Sequence, residues 1–400
     1  MIDGPKAVGK TRSAERFAQT IISIDDEAEQ ASLLANFDRL RIEKPPVFLD
    51  EWQYLPEVWN RVRHIVDEEG IPGRFLLAGS IQSKNPKLHS GAGRIVRIRM
   101  RPLSLAERFE SLTCLRLSDA LDGAIPEVVS AVSPIGFEEY MHEIIRSGFP
   151  AIHPLDESIR RIELDSYIEN ISSRDFRSQG ITIRHPGKMK SWMRAYAAAT
   201  ATSTSYNKML DAATAGEENK PAKETVISYR EALRSLWLID DLPFWAEGED
   251  FLGRLKQTPK HYLADSALEA RLLRLSLRDL ITGKKTSPHD PEYGSIAGRL
   301  FESLCVMSLR TYATNLGAEV GYVRTQSGTR EIDVIVQRDQ DIVAIEIKMT
   351  PVVRDEDVRH LNWFEEKVGD RVKEKIILTT GERAFRRKDR VLVIPAALFG

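Results

Sequence analysis

An α/β architecture in three parts is what the sequence predicts. Residues 1–150 read as a phosphate-loop nucleoside triphosphatase domain with a helical lid, 151–250 as a helical middle domain, and 251–400 as a second α/β domain. Three observations lead to this division. The stretch Gly4-Pro5-Lys6-Ala7-Val8-Gly9-Lys10-Thr11 fits the phosphate-loop pattern G-x-x-x-x-G-K-[ST]. Apolar strand-like runs alternate with helical segments over residues 1 to about 103. Near the carboxyl end, two alternating strands, 331–336 and 343–348, bring acids onto one face.

The first loop has a physical logic. Gly4 and Gly9 allow the backbone to turn its N–H groups inward on an anion. The helix that follows, over about 10–19, aims its positive end at the same point. Lys10 would reach the β- and γ-phosphates of ATP, and Thr11 would bind Mg²⁺. The alternative is a glycine-rich turn that fits by chance. Only three residues precede Gly4, where a strand feeding such a loop runs about five. Either the central strand is short and nucleotide affinity weak, or the start is truncated.

Further strands follow at 21–25, 47–49, 74–80 and 95–100, with a helix between at 28–40. The run Val47-Phe48-Leu49-Asp50-Glu51 is continuous and apolar, as a buried parallel strand should be, and it ends in two acids where ligands sit in open α/β sheets. Asp50 would hold Mg²⁺ through water, and Glu51 would polarise the attacking water. The alternative makes Asp50 the cap of a helix over 52–68. Ser80, at the tip of the strand beside the acid strand, is a candidate contact for the γ-phosphate or the water, or else another helix cap. Arg94 is a candidate phosphate contact, in cis or from a neighbouring subunit, or a solvated loop residue.

Composition sets limits. The chain has 400 residues, 42% apolar and 29% charged, ordinary for a globular protein of two to three domains. The net charge of −2 excludes a global pull on nucleic acid, so any such contact needs a local patch. Two cysteines, Cys114 and Cys305, offer neither a disulfide framework nor zinc spacing. No 18-residue apolar run and no signal peptide occur, so the reading is cytoplasmic, with no membrane partner.

From 102 to 150 the pattern turns helical, with Ser104 as a cap and a helix over 137–147 closed by Gly148 and Pro150. Helices follow over 159–174, 189–200, 206–213 and 222–238. The last places Val226, Tyr229, Leu233 and Leu236 on one face, and 238–243 would begin a wing. Such a helix-turn-helix would touch DNA through Lys220, Lys223, Arg230 and Arg234. Glu217, Glu218, Glu224 and Glu231 lie among those bases, and a helical connector is the alternative.

Residues 260–265 read as a strand and 266–280 as a helix. The helix over 296–311 is apolar nearly all round, so its Glu302 needs a cation or a hydrogen-bonding partner. Alternation in the hairpin gathers Asp333, Glu346 and Lys348. Two carboxylates beside an amine suit Mg²⁺-assisted phosphodiester hydrolysis, with Asp333 and Glu346 on the metal and Lys348 on water. The alternative is a salt-bridged face.

The order of these motifs resembles a prokaryotic family of AAA-like P-loop ATPases. Its carboxyl-terminal domain of unknown function contains a winged helix and a PD-(D/E)XK restriction-endonuclease-like fold. The resemblance rests on residues 4–11, on Leu49-Asp50-Glu51-Trp52-Gln53 and Leu76-Leu77-Ala78-Gly79-Ser80, and on Arg101-Pro102-Leu103-Ser104-Leu105-Ala106-Glu107. It also rests on Ser147-Gly148-Phe149-Pro150, Tyr167-Ile168-Glu169, Gly298-Arg299-Leu300-Phe301-Glu302, Glu331-Ile332-Asp333 and Ile345-Glu346-Ile347-Lys348. It implies that Glu302, Asp333, Glu346 and Lys348 fall on the four nuclease-type positions. The family usually has a fuller first strand, and often Thr-Gly-Ser where this chain has Ala78-Gly79-Ser80. The functional expectation is ATP hydrolysis at Lys10, Thr11, Asp50 and Glu51, coupled to a module that engages or cuts DNA. The second expectation is a non-cleaving, ATP-driven switch that docks DNA or a protein partner. Assembly into a homo-oligomer is open to either.

Overall fold

The computed structural model describes residues 1–80, 93–176, 186–214, 223–246, 258–283, 295–325 and 328–400. They form two compact units: Met1–Arg101 with Leu233–Leu238, and Pro102–Ala232 with Ile239–Gly400.

The first unit is built on a five-stranded sheet in the order β2-β3-β4-β1-β5. The strands are β1 (Ile2–Asp3), β2 (Thr20–Ser23), β3 (Val47–Asp50), β4 (Phe75–Gly79) and β5 (Ile98–Arg99). Every pairing is parallel, with Leu49 opposite Leu77 and Asp3 opposite Gly79. Strand β3 is apolar from Val47 to Leu49 because both its faces are covered, and ends in Asp50. Phe48 packs with Ala14 and Ala78 on one side. Val47 and Leu49 pack with Val58, Trp59, Val62 and Ile65 on the other. Each such fully buried side chain contributes about 2 kcal/mol of transfer free energy. As expected from the sequence, β1 is short, and it is held on both edges by β4 and β5.

Helix boundaries differ from the sequence reading for local reasons. Helix α1 (Lys10–Glu15) stops short of the end expected near 19. The stretch expected as one helix over 28–40 is two, α2 (Glu27–Ala35) and α3 (Arg39–Ile42), parted at Asn36, which is extended. The stretch 52–68 opens as a 3₁₀ turn, Trp52–Tyr54, before α4 (Glu57–Glu69) starts after Pro56, since proline suits the start of a helix and not its interior.

The second unit carries a seven-stranded sheet, β6-β11-β12-β10-β9-β8-β7. Its strands are β6 (Ala131–Val132), β7 (Glu319–Arg324), β8 (Glu331–Arg338), β9 (Asp341–Lys348), β10 (Val372–Thr379), β11 (Arg383–Arg386) and β12 (Leu392–Pro395). The β8–β9 hairpin is antiparallel, whereas β9–β10 and β10–β12 are parallel. The helix Ile296–Asn315 lends Leu300, Phe301 and Leu304 to the core of one face, and Asp355–Val368 lends Val358, Leu361 and Phe364 to the other. Residues 102–150, read from sequence as a lid on the nucleotide domain, contribute Leu105, Leu117, Tyr140, Met141 and Ile144 to this second core. Their β6 adds an edge strand to its sheet. Ser104 caps Leu105–Arg108 in a capping box with Glu107.

The middle helices are Glu157–Asn170, Pro186–Ala198, Tyr206–Ala213 and Lys223–Ser235. Val226, Tyr229, Leu233 and Leu236 are all buried, as their spacing requires. Ile239 and Leu242 bridge antiparallel to Leu263 and Lys260. The stretch expected as one helix over 266–280 breaks at Arg274, whose φ of 56° is left-handed, into Ser266–Leu272 and Leu277–Ile281.

Candidate functional site

The phosphate loop forms an inward-turned backbone between β1 and α1. Ala7 (φ 63°) and Gly9 (φ 101°) both take left-handed conformations, the alternation that builds an amide nest. Gly4 is required by space: a Cβ there would lie 2.4 Å from the Met100 carbonyl oxygen. Lys10 is 6% exposed, and its Nζ donates to the Gly4 and Pro5 carbonyls at 3.0 and 2.9 Å. Burial lowers its pKa, against the pull of Glu51, Asp50 and Asp3. Lys6 and Val8 complete the loop, Val8 buried and Lys6 half-buried.

Strand β3 delivers the acids to this loop. Thr11 Oγ1 donates to Asp50 Oδ2 at 2.8 Å across 39 residues of sequence. Burial raises the Asp50 carboxyl, and the Glu51 charge adds to the shift. Glu51 takes a left-handed φ of 49°, which turns its side chain out of the strand line. Its carboxylate accepts from Ser80 Oγ at 3.2 and 3.0 Å and from the Gln53 amide. Because β4 lies between β1 and β3, Ser80 at its tip reaches the acid. Gly79 keeps room for the neighbouring side chains, since a Cβ there would lie 2.7 Å from Gln53 Oε1 and 3.0 Å from Trp52 Nε1. Arg94 pairs instead with Asp67 of α4.

Mg²⁺ and a triphosphate fit this site. The Thr11 hydroxyl and Asp50 carboxylate are side by side, the loop presents turned backbone, and Lys10 bonds to neutral oxygens that a phosphate can replace.

A different arrangement fills the carboxyl-terminal cluster. The hairpin brings Asp333 and Glu346 together, and Glu302 approaches from its helix, as the sequence suggested. At the centre is a residue that sequence reading placed only on a strand, Lys260. Its Nζ lies 2.9 Å from Glu302 Oε1, 2.7 Å from Glu331 Oε1 and 3.0 Å from Asp333 Oδ1. Tyr262 Oη donates to Glu302 at 2.7 Å, and the Ile347 amide donates to Asp333 Oδ2 at 3.0 Å. Lys348 Nζ bonds Glu346 Oε2 at 2.7 Å and stands 4.0 Å from Asp333. Burial pushes Glu302 up to about 7, with Asp333 adding to it and Lys260 opposing it. Burial would raise Asp333 too, but Lys260 and Lys348 outweigh it and hold this carboxyl well below its usual range. Burial and the Asp333 charge raise Glu346. Burial would lower Lys260, but Glu302 and Asp333 outweigh it and hold its ammonium well above the ordinary lysine value.

The cluster fits a divalent metal poorly. One ammonium already donates to Glu302 and Asp333 and stands 2.7 Å from Glu331, and a second ammonium holds the fourth carboxylate. Among the described residues, no group of three or more His, Cys, Asp and Glu is placed to hold a metal ion. No sequence pattern marks Lys260, because its partners lie 42 and 73 residues away.

Of the basic residues expected to touch DNA, Arg230 lies 4.7 Å over the Tyr206 ring and 3.1 Å from Glu231. Lys220 and the side chain of Lys223 fall outside the described residues. No described helix is long and apolar enough to cross a membrane.

Residues 137–279 and 297–399 match two family models, each described as a domain of unknown function (DUF8612 and DUF4143). Uncharacterized proteins of Mycobacterium bovis and Mycobacterium tuberculosis are each 24% identical over 411 residues, covering 99% of this chain and 79% of theirs. Residues 1–109 match the model of an AAA domain. With the loop and acid strand in register, that match supports an AAA-like P-loop ATPase family for the amino-terminal region, with the ATP binding that such a domain implies.

Proposed function

We propose that the chain binds and hydrolyses Mg-ATP at the amino-terminal loop, and uses the cycle to switch a carboxyl-terminal docking module. The observation that carries the first half is the 2.8 Å bond from Thr11 to Asp50, which joins the loop to the acid strand at the point where a metal would sit. Thr11 and Asp50 would hold Mg²⁺, which neutralises phosphate charge when bound. The turned amides of Gly4, Lys6, Ala7, Val8 and Gly9 would cradle the phosphates, and Pro5, which has no N–H, would shape the loop. Lys10 would exchange two carbonyls for phosphate oxygens. Glu51 would orient and deprotonate the attacking water, with Ser80 and Gln53 holding its carboxylate in place. Arg94, paired with Asp67, has no assigned role in this scheme.

The middle region is proposed as winged-helix-like and the end as PD-(D/E)XK-like, serving to dock DNA or a protein partner without cutting. Lys260, lodged among Glu302, Glu331 and Asp333, favours the non-cleaving reading over one in which Asp333 and Glu346 hold a metal and Lys348 activates water. Turnover of Mg-ATP by wild type and Lys10→Ala tests the first half: equal, background rates in both would end it. Linear and supercoiled DNA incubated with Mg²⁺ or Mn²⁺, with Glu346→Ala as control, tests the second. Intact DNA is expected, and cleavage that Glu346→Ala abolishes would restore the nuclease reading.

A further inference from the structure

We propose that Lys260 is the resident cation of the carboxyl-terminal acid cluster, occupying the place a divalent metal would need, so that this cluster is a metal-free, lysine-bridged hub. The inference does not depend on ATP hydrolysis, since every residue it uses belongs to the second unit.

Geometry carries it. An ammonium has three hydrogens and no lone pair, and Lys260 has three carboxylate oxygens within 2.7–3.0 Å. These oxygens come from two elements: Glu302 on its helix, and Glu331 and Asp333 at one end of β8. They converge on one point, as ligands converge on an ion. The Tyr322 ring lies 5.6 Å from the same ammonium and adds a further cation-favouring surface. Lys260 is 2% exposed, so water cannot stand in for these partners.

Several of the remaining carboxylate oxygens have partners of their own. Asp333 Oδ2 accepts the Ile347 amide. Glu346 Oε2 accepts from Lys348. Arg324 Nε stands 3.6 Å from Glu331 Oε2. Glu346 Oε1 is buried with no hydrogen-bond partner, 3.9 Å from His360 Nδ1. One such oxygen, on a carboxylate already bonded to the Lys348 ammonium, does not make a site for a doubly charged ion, which needs several oxygens around it. A polar groove of about 850 Å³ opens above the cluster, lined among others by Thr204, Lys208, Arg324 and Lys348. What enters it therefore meets carboxylates already paired with ammonium groups rather than a bare acid pair.

The test uses the full chain without nucleotide and Mn²⁺ as probe, followed by electron paramagnetic resonance of the free ion. Wild type, Asp333→Asn and Glu346→Gln are expected to bind the same number of Mn²⁺ ions with affinities equal within twofold. Lys260→Met is expected to gain one site, and Lys260→Met/Asp333→Asn to lose it again. A wild-type Mn²⁺ site weakened tenfold or more by Asp333→Asn and by Glu346→Gln would overturn the proposal. A folded Lys260→Met that gains no site would remove Lys260 from the cation position. Should Lys260→Met fail to fold, the comparison of wild type with the two acid variants decides alone.

Discussion

Two buried lysines separate the two chemically distinctive regions of this molecule. Lys10 sits in a loop of turned backbone and donates to the neutral carbonyls of Gly4 and Pro5. Lys260 sits in a sheet-and-helix core, donates to the carboxylates of Glu302 and Asp333, and pairs with Glu331. The first ammonium keeps its charge in reserve, because a carbonyl is a weak partner that a phosphate oxygen outcompetes. The second has spent its charge on acids that would otherwise have to be protonated or to hold a metal. A divalent ion placed about 4 Å from one such ammonium would meet repulsion on the order of 8 kcal/mol at an effective dielectric of about 20. A constellation of acidic residues therefore indicates a metal only when the cations around it are counted too.

The comparison fails outright if Lys10 is dispensable. Lys10→Ala should reduce Mg-ATP turnover by about 10³-fold, and Glu51→Gln by about 10²-fold or more with ATP binding retained, in a steady-state phosphate-release assay. Removing the other lysine acts on folding instead. Lys260→Ala leaves buried Asp333 and partly buried Glu302 and Glu331 without their cation and should cost about 3–5 kcal/mol in urea denaturation. If it costs less than about 1 kcal/mol, the cluster is not held by that ammonium.

Glu269 sharpens the contrast, because it is a buried acid neutralised by a proton rather than by a lysine. It is fully buried, accepts the Leu263 amide at 2.8 Å, and burial pushes its pKa up to about 8 from 4.5. The folded state therefore holds this proton where the unfolded chain has released it. The resulting stabilisation is complete below about pH 4.5 and is lost as pH rises towards about 8. Relative to Glu269→Gln, wild type should lose a few kcal/mol across that window, at about 1.4 kcal/mol per pH unit. Parallel stability curves for the two proteins between pH 5 and 9 would contradict this. The smallest effect concerns Ser80, which steadies Glu51 from 3.0 Å. Ser80→Ala should lower turnover about tenfold with little change in KM, the loss expected for one hydrogen bond to a charged group.

Contiguous chemistry was legible in the sequence. The loop 4–11 carries its own glycines, lysine and threonine, and the acid pair Asp50–Glu51 ends a visibly apolar strand. The Glu302 carboxylate announced its need for a partner by standing among Phe301, Leu304 and Cys305, and the partner is there. The partner's identity was not legible, because Lys260 reaches Glu302 and Asp333 only through the folded core. Helix interruptions were hidden for a related reason. The break at Arg274 is a single left-handed residue in a run whose apolar spacing continues past it. Nor does anything in Ala131–Val132 mark it as an edge strand, since its partner Arg383–Arg386 lies some 250 residues away.

Calorimetric titration of Mg-ATP into the full chain and three variants tests the division between the two regions most directly. One site per chain is predicted, abolished by Lys10→Ala, weakened by Asp50→Ala and untouched by Asp333→Asn. Binding that survives Lys10→Ala, or that disappears with Asp333→Asn, would contradict it.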